Sequence, residues 1–228
     1  MFNKTIFFNQ SAGIGDIFFL IKASTIICNL GYNIVWPLKK EIFYIKDYLI
    51  THKNLTFIKE GDNFNFSGDY IIIDFQNADK IFDGSLLIAK YKLLKNYGLD
   101  IDYKDWNKYL ILKRNIEKEN DLFYNVLNLK DGEEYLIKNC IRSKNIIHNI
   151  ETNSNLKIIE MKIMPNFSFF DWSKVIENAK EIWTIDTAIN YLIEVLDTKA
   201  DRLVVYPRHE DNTKKALQHI WYKNWEWK

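Results

Sequence analysis

The stretch that decides the fold is Ser11-Ala12-Gly13-Ile14-Gly15-Asp16, a glycine-containing turn between two apolar segments. The segment at 5–8 predicts a short buried β-strand, and the segment at 17–27 predicts a helix with an apolar face. Such a turn directs backbone N–H groups and the positive end of the helix dipole at one place. Because the first strand–helix turn of an open parallel sheet is where ligands bind, we expect a site here that suits a phosphate or another anionic group.

The composition is that of a neutral globular protein. The chain has 228 residues, of which 47% are hydrophobic, with only 8 Gly and 3 Pro, so a low-complexity or disordered chain is disfavoured. A formal net charge of +1 gives no reason to expect a nucleic-acid partner. Because we find neither an apolar run of membrane-spanning length nor a signal-peptide pattern, we expect a cytoplasmic protein without a membrane span. The oligomeric state stays open.

Strand-like and helix-like segments alternate along the whole chain, which favours parallel sheets. The alternation restarts after residue 113, so we predict an α/β fold of two small Rossmann-like domains, 1–113 and 114–228, whose parallel sheets face a cleft. The continuous apolar run at 70–75 predicts a parallel strand covered on both faces. One amphipathic helix is expected at 115–129, and the Trp-rich C-terminal tail is expected to pack across the second domain.

Polar residues that follow predicted strands form the candidate site, since open α/β sheets bind ligands outside the carboxyl ends of their strands. In the first domain the candidates are Gly13, Gly15, Asp16 and Trp36. In the second domain they carry amide, hydroxyl, carboxylate and basic groups that suit a nucleotide diphosphate: Asn139, Arg142, Ser143, Lys144, Thr184, Asp186, Thr187, Tyr206 and Arg208. Structural alternatives remain open. Asp16 and Asp186 suit helix N-termini, with Asp186 as the N-cap of a helix at 187–196, and the basic residues suit a solvated surface.

The pair Gly13-x-Gly15 also invites a comparison with the dinucleotide-binding fingerprint. That fingerprint needs a third glycine, where this chain has Phe18, and an acidic residue at the end of the second strand, where it has Trp36. A phosphate-binding loop of the G-x-x-x-x-G-K-[ST] type does not occur either. A Rossmann-type oxidoreductase that binds NAD is therefore disfavoured.

Two segments resemble glycosyltransferases of the GT-B fold, in particular the heptosyltransferase-like family. Residues 12–17 (Ala-Gly-Ile-Gly-Asp-Ile) resemble the turn G-G-[LI]-G-D-[VI] that opens the chains of that family. Residues 183–192 (Trp-Thr-Ile-Asp-Thr-Ala-Ile-Asn-Tyr-Leu) resemble the family segment G-x-D-T-[GS]-x-x-H-L-A, and residues 170–179 resemble the helix before it. The chain departs from the pattern at Ala188 and at Tyr191, which stands where the family has histidine. It is also shorter than typical members, so the resemblance is to a reduced version.

The resemblance implies an enzyme that moves a sugar from a nucleotide-sugar donor to a hydroxyl acceptor, such as a glycan, with inversion and without metal ion or cofactor. It implies Asp16 as the general base, which assigns the acceptor to domain 1–113 and the nucleotide sugar to domain 114–228. Asp186 and Thr187 fall in the family's donor segment. A helix N-terminus and basic side chains would stabilise the leaving nucleoside diphosphate. The alternative is a non-catalytic nucleotide- or sugar-binding protein on the same fold.

Overall fold

The computed structural model describes residues 4–10, 13–62, 69–80, 85–142, 146–208 and 213–228. The chain forms two compact units, Met1–Lys113 and Arg114–Lys228. Strand and helix alternate in both units, and the main sheet of each is parallel.

The first unit is built around a four-stranded parallel sheet. Its elements are, in chain order, β1 (Thr5–Asn9), α1 (Ile14–Asn29), β2 (Asn33–Leu38), a 3₁₀ helix (Lys40–Tyr48), β3 (Leu49–Ile50), β4 (Leu55–Lys59), β5 (Tyr70–Asp74), a 3₁₀ helix (Phe75–Lys80), α2 (Leu86–Lys95), a 3₁₀ helix (Trp106–Tyr109) and β6 (Ile111–Leu112). The sheet order is β4-β2-β1-β5, and β3 pairs with β6 in a small antiparallel ladder. Because β1 lies inside the sheet, the turn that follows it begins between the carboxyl ends of β2 and β5.

The position of β5 corrects one expectation. Its apolar run predicts a strand covered on both faces, but among the described strands β5 lies at one edge of the sheet and pairs with β1 alone. Tyr70 and Ile72 are each 49% exposed, and Ile71 is 36% exposed. An apolar run of this kind reports strand propensity, which an edge strand shares with a central one. It does not report the place of the strand in the sheet order.

The second unit is built around a five-stranded parallel sheet. Its elements are α3 (Ile116–Asn120), a π-helical turn (Asp121–Val126), β7 (Tyr135–Asn139), β8 (Ile141–Arg142), β9 (Ile146–Ile147), β10 (Lys157–Glu160), a 3₁₀ helix (Phe169–Trp172), α4 (Ser173–Asn178), β11 (Glu181–Ile185), α5 (Ala188–Val195), β12 (Arg202–Tyr206), α6 (Thr213–Leu217) and β13 (Trp225–Trp227). The sheet order is β10-β7-β11-β12-β13, and β8 pairs with β9 as a short antiparallel ladder. Leu136, Trp183 and Val204, from three central strands, meet in its core.

The region predicted as one amphipathic helix at 115–129 is a short α-helix followed by a π-helical turn. α3 begins after Asn115, whose side chain accepts a hydrogen bond from the backbone N–H of Lys118, and then widens into the π-helical turn. Leu122 and Phe123 are both fully buried in that turn. Because a π-helical turn adds only one residue to a single turn of an α-helix, the apolar pattern alone does not distinguish it from a regular helix.

The C-terminal tail adds β13 to the sheet beside β12, a parallel strand that the sequence pattern did not predict. Within the tail, Trp221 stacks on Trp227 with ring centroids 5.3 Å apart. Glu194 of α5 anchors it by accepting hydrogen bonds from the Trp225 indole at 2.7 Å and from the backbone N–H of Tyr222 at 2.8 Å. Burial raises the pKa of Glu194, and these donors offset part of that rise.

We expect Glu194→Gln to destabilise the second unit by about 1–3 kcal/mol, because both carboxylate oxygens face N–H donors and one of them becomes an N–H donor itself. The matched control is Glu134→Gln, whose side chain is 61% exposed beside Lys180 and which should shift stability by less than about 0.5 kcal/mol. Denaturant unfolding followed by tryptophan fluorescence measures both. Equal midpoints for the two variants would contradict the anchoring role of Glu194.

Candidate functional site

The glycine turn of the first unit places a carboxylate directly over its own backbone. Gly13 is the N-cap of α1 and has φ +85°, a conformation that glycine adopts without strain. Three residues later, Asp16 folds back, so that a Cβ on Gly13 would overlap Asp16 Oδ2 and lie 3.2 Å from its Cγ. Gly15 lies within the first turn of α1. A helix N-terminus stabilises a negative charge, and here the Asp16 carboxylate already supplies one. The anionic ligand expected at this turn is therefore disfavoured.

Asp16 forms an ion pair with Lys90 of α2. The Lys90 side chain is only 2% exposed, whereas 27% of the Asp16 side chain reaches the surface. A buried ammonium group is costly unless it is paired, so the ion pair fixes both side chains and joins α2 to the turn. Lys90 was not among the site residues predicted from the sequence. A lysine inside the apolar run Leu87-Ile88-Ala89-Lys90-Tyr91 is the signal that could have found it.

Trp36, the other candidate of the first unit, is fully buried. Its indole N–H donates to the carbonyl oxygen of Gln10 at 2.7 Å, and its ring packs edge-on against Phe8. With no exposed surface, Trp36 cannot contact an acceptor, so its expected place in the acceptor site is corrected to a structural one. It braces the chain where β1 leads into the glycine turn.

The carboxyl ends of β7 and β11 bring three predicted donor-site residues together. Asn139 lies opposite Thr184 in the strand register, and its amide donates to Thr184 Oγ1 at 2.9 Å and to Thr187 Oγ1 at 3.3 Å. Thr184 is fully buried and Asn139 is 6% exposed. Little of their surface can reach a ligand, so both residues hold the site's backbone and Thr187 in place rather than bind a ligand.

The segment at the start of α5 differs from its prediction in one respect. The N-cap of α5 is Thr187 rather than Asp186, and Thr187 forms a capping box with Asn190, whose Oδ1 accepts from the Thr187 backbone N–H at 3.0 Å. Asp186 is nearly fully buried and forms an ion pair with Arg208 after β12. The Arg208 side chain is 39% exposed, so it is held at one end and accessible at the other.

Two of the remaining predicted donor residues lie at the ends of strands β8 and β12. Tyr206 lies at the end of β12, and its hydroxyl donates to the carbonyl of Glu151 at 3.0 Å. The backbone of Arg142 lies in β8. Ser143 and Lys144 are outside the described residues, so whether they join the site stays a prediction.

In the described ranges, no group of three or more His, Cys, Asp or Glu side chains is arranged to hold a metal ion. Burial raises the pKa of Cys28 to about 12 and also raises the pKa of Cys140. Neither cysteine is disulfide-bonded.

No helix in the described parts of the chain is both long and apolar enough to cross a membrane.

The chain thus combines two parallel-sheet units with a glycine turn after the first strand. No protein-family model matches the chain, and no curated protein sequence matches it. Solved structures do. A glycosyl transferase family 9 protein from Veillonella parvula has a TM-score of 0.59 at 9% identity, over 100% of this chain and 86% of that chain.

Two further structures extend the comparison. The E. coli heptosyltransferase WaaC, solved with ADP, has a TM-score of 0.51 at 10% identity, over 95% of this chain and 96% of that chain. The iron-containing dodecameric glycosyltransferase TibC from enterotoxigenic E. coli has a TM-score of 0.51 at 8% identity, over 90% of this chain and 57% of that chain. The predicted α/β class and the resemblance to GT-B heptosyltransferases are thus confirmed at the level of fold. At these identities the similarity carries the fold alone.

Proposed function

We propose that the chain is a glycosyltransferase that transfers a sugar from a nucleotide-sugar donor to a hydroxyl acceptor, with inversion and without a metal ion. The observation that supports this most is the Asp16–Lys90 pair at the glycine turn of a GT-B-type fold. A partly exposed carboxylate held by a buried cation is a positioned acid–base group at the edge of the sheet where ligands bind.

In the proposed step, Asp16 accepts the proton of the acceptor hydroxyl while that oxygen forms a bond to the anomeric carbon. The bond between the anomeric carbon and the phosphate oxygen breaks, and its electron pair leaves with the nucleoside diphosphate. Attack from the face opposite the leaving group gives inversion. Lys90 holds Asp16 Oδ1, which fixes the plane of the carboxylate and leaves Oδ2 for the proton.

The second unit would bind the donor. Arg208 is the described cation best suited to the diphosphate, because Asp186 fixes its guanidinium while part of the side chain stays exposed. Thr187, which follows β11, would donate a hydrogen bond through its hydroxyl group, and Arg208, which follows β12, would donate through its guanidinium group. Since a structure of similar fold was solved with ADP, ADP-sugars are the first donors to test.

One observation favours the alternative, a binding protein without turnover. Where the resembled family has histidine, Tyr191 is only 6% exposed and packs edge-on against Trp221 at 6.2 Å. A group that the family carries at this position is thus replaced by a core residue. Binding of a nucleotide sugar would survive that replacement more easily than catalysis would.

Thermal unfolding in the presence of ADP-, UDP-, GDP-, CMP- and dTDP-sugars tests the proposal, with EDTA throughout and with NAD and NADP as controls. A ligand at 100 times its Kd adds about 2.7 kcal/mol to the free energy of unfolding, which a melting curve resolves. Stabilisation by one nucleotide class, followed by acceptor-dependent release of the nucleoside diphosphate, is the expected result. Stabilisation without release supports the binding protein, and stabilisation by NAD or NADP alone overturns both.

A further inference from the structure

The carboxyl end of β5 carries a polar cluster that the proposed mechanism does not use. Asp74 accepts a hydrogen bond from the Asn9 side-chain amide at 3.0 Å, from the backbone N–H of Gln76 at 3.1 Å and from the side-chain amide of Asn77. Asn9 and Asp74 are register partners at the ends of the neighbouring strands β1 and β5. The cluster therefore lies at the same edge of the sheet as the glycine turn, whose first glycine, Gly13, is four residues after Asn9.

The chemistry of the carboxylate fixes the direction of the Asn9 amide. A carboxylate accepts hydrogen bonds and has no proton to give, so the NH₂ group of Asn9 must face Asp74. The amide oxygen of Asn9 must then face away from Asp74. Among the residues that the structure describes, none donates a hydrogen bond to this oxygen, and the Asn9 side chain is half-buried, so the oxygen remains an acceptor for a ligand.

The charge of the cluster restricts the ligand to a neutral one. The Asp74 carboxylate accepts hydrogen bonds from three neutral N–H donors, and none of the lysine and arginine side chains that the structure describes forms an ion pair with it. The buried cation Lys90 of α2 is already paired with Asp16 at the glycine turn. A phosphate or carboxylate on the ligand would meet an uncompensated like charge, whereas a hydroxyl group donates to the Asn9 oxygen without that cost.

We propose that Asn9 forms a hydroxyl-binding subsite that selects a neutral sugar as the acceptor, with Asp74 as the residue that positions it. This deepens the proposed function, on which its role in transfer rests, by naming the acceptor class. The binding event itself needs no donor and no turnover. It can therefore be measured separately from the glycosyltransferase reaction.

The experiment is a ligand-observed NMR titration of the full chain with the methyl glycosides of glucose, mannose and galactose, and with glucose 6-phosphate and glucuronate as anionic comparators. We expect a neutral glycoside to bind in preference to both anions. Asn9→Ala removes the acceptor oxygen, and Asp74→Asn lets the Asn9 amide turn over. Each should weaken that binding about tenfold, the effect of one hydrogen bond.

Gln76→Ala is the matched control, because Gln76 is exposed and only its backbone N–H contacts Asp74, so glycoside binding should be unchanged. Asp74→Asn is isosteric and keeps the test valid where Asn9→Ala fails to fold. Preference for an anionic sugar, wild-type affinity in both variants, or no binding of any neutral glycoside each overturns the proposal. A protein that binds neutral glycosides through Asn9 but turns over no nucleotide sugar supports this subsite and overturns the proposed function. Transfer to anionic acceptors alone does the reverse.

Discussion

Asp16→Asn is expected to lower the rate of sugar transfer about 10²–10⁴-fold, the usual contribution of a general base, while nucleotide-sugar binding is retained. The amide has the size of the carboxylate and still accepts a hydrogen bond from Lys90, but it cannot take the acceptor proton. Nucleoside diphosphate release at saturating donor measures the loss. The control is Asp100→Asn. The Asp100 side chain is 81% exposed beside Lys95, and no catalytic or binding role is proposed for it.

Two further variants separate loss of the base from loss of the fold. Asp16→Asn combined with Lys90→Met removes both members of the buried pair, so no unpaired ammonium remains, and the protein should be folded and inactive. Gly13→Ala keeps both charges but puts a methyl group where Asp16 Oδ2 lies, at a cost of about 1 kcal/mol for the positive φ. The Gly13→Ala variant should therefore still bind the donor but transfer the sugar slowly. Full activity in Gly13→Ala would mean that the carboxylate is not the base.

The local pattern of the sequence predicts most of the fold because parallel strands and their helices have strong local signatures. The apolar runs at 5–8 and 70–75 predicted the strands that became β1 and β5, and the helix predicted at 17–27 lies within α1. What failed was set by distant partners. The exposure of β5 follows from its place at the sheet edge, and β13 forms because β12 offers an unpaired edge and Glu194 anchors the tail.

The candidate site divides in the same way. Strand ends are predictable, so Asn139, Thr184 and Thr187 were expected at one edge, and they meet there. Their burial was not predictable, because it depends on which side chains the neighbouring strands supply. Lys90 shows the limit most clearly, since its partner Asp16 lies 74 residues earlier in the chain. No local pattern encodes a contact at that separation, and only the packing of α2 against α1 creates it.

Arg114→Met is expected to destabilise the second unit by about 3–5 kcal/mol, the largest change in stability that we predict. The Arg114 guanidinium donates to Glu119 of α3 through Nε and Nη2, and to Glu177 of α4 through Nη1 at 2.8 Å. The Glu119 side chain is 2% exposed, so the variant would leave a buried carboxylate without its cation. Hydrogen bonding to Glu119 and Glu177 raises the pKa of Arg114, which keeps the guanidinium charged at any accessible pH.

A double-mutant cycle decides whether the pair itself or only the unpaired charge matters. Adding Glu119→Gln to Arg114→Met removes the buried charge and should restore most of the lost stability, because the neutral amide tolerates burial far better than a carboxylate. Lys180→Met is the control for a surface network, since Lys180 is 41% exposed between Glu134 and Asp201 and should change stability by less than about 1 kcal/mol. Thermal melting followed by circular dichroism resolves the difference, as each kcal/mol shifts a unit of this size by about 4–8 °C. A melting point for Arg114→Met within the range of Lys180→Met would show that the Glu119 carboxylate reaches water or another donor, and that α3 and α4 are held together by their apolar contacts alone.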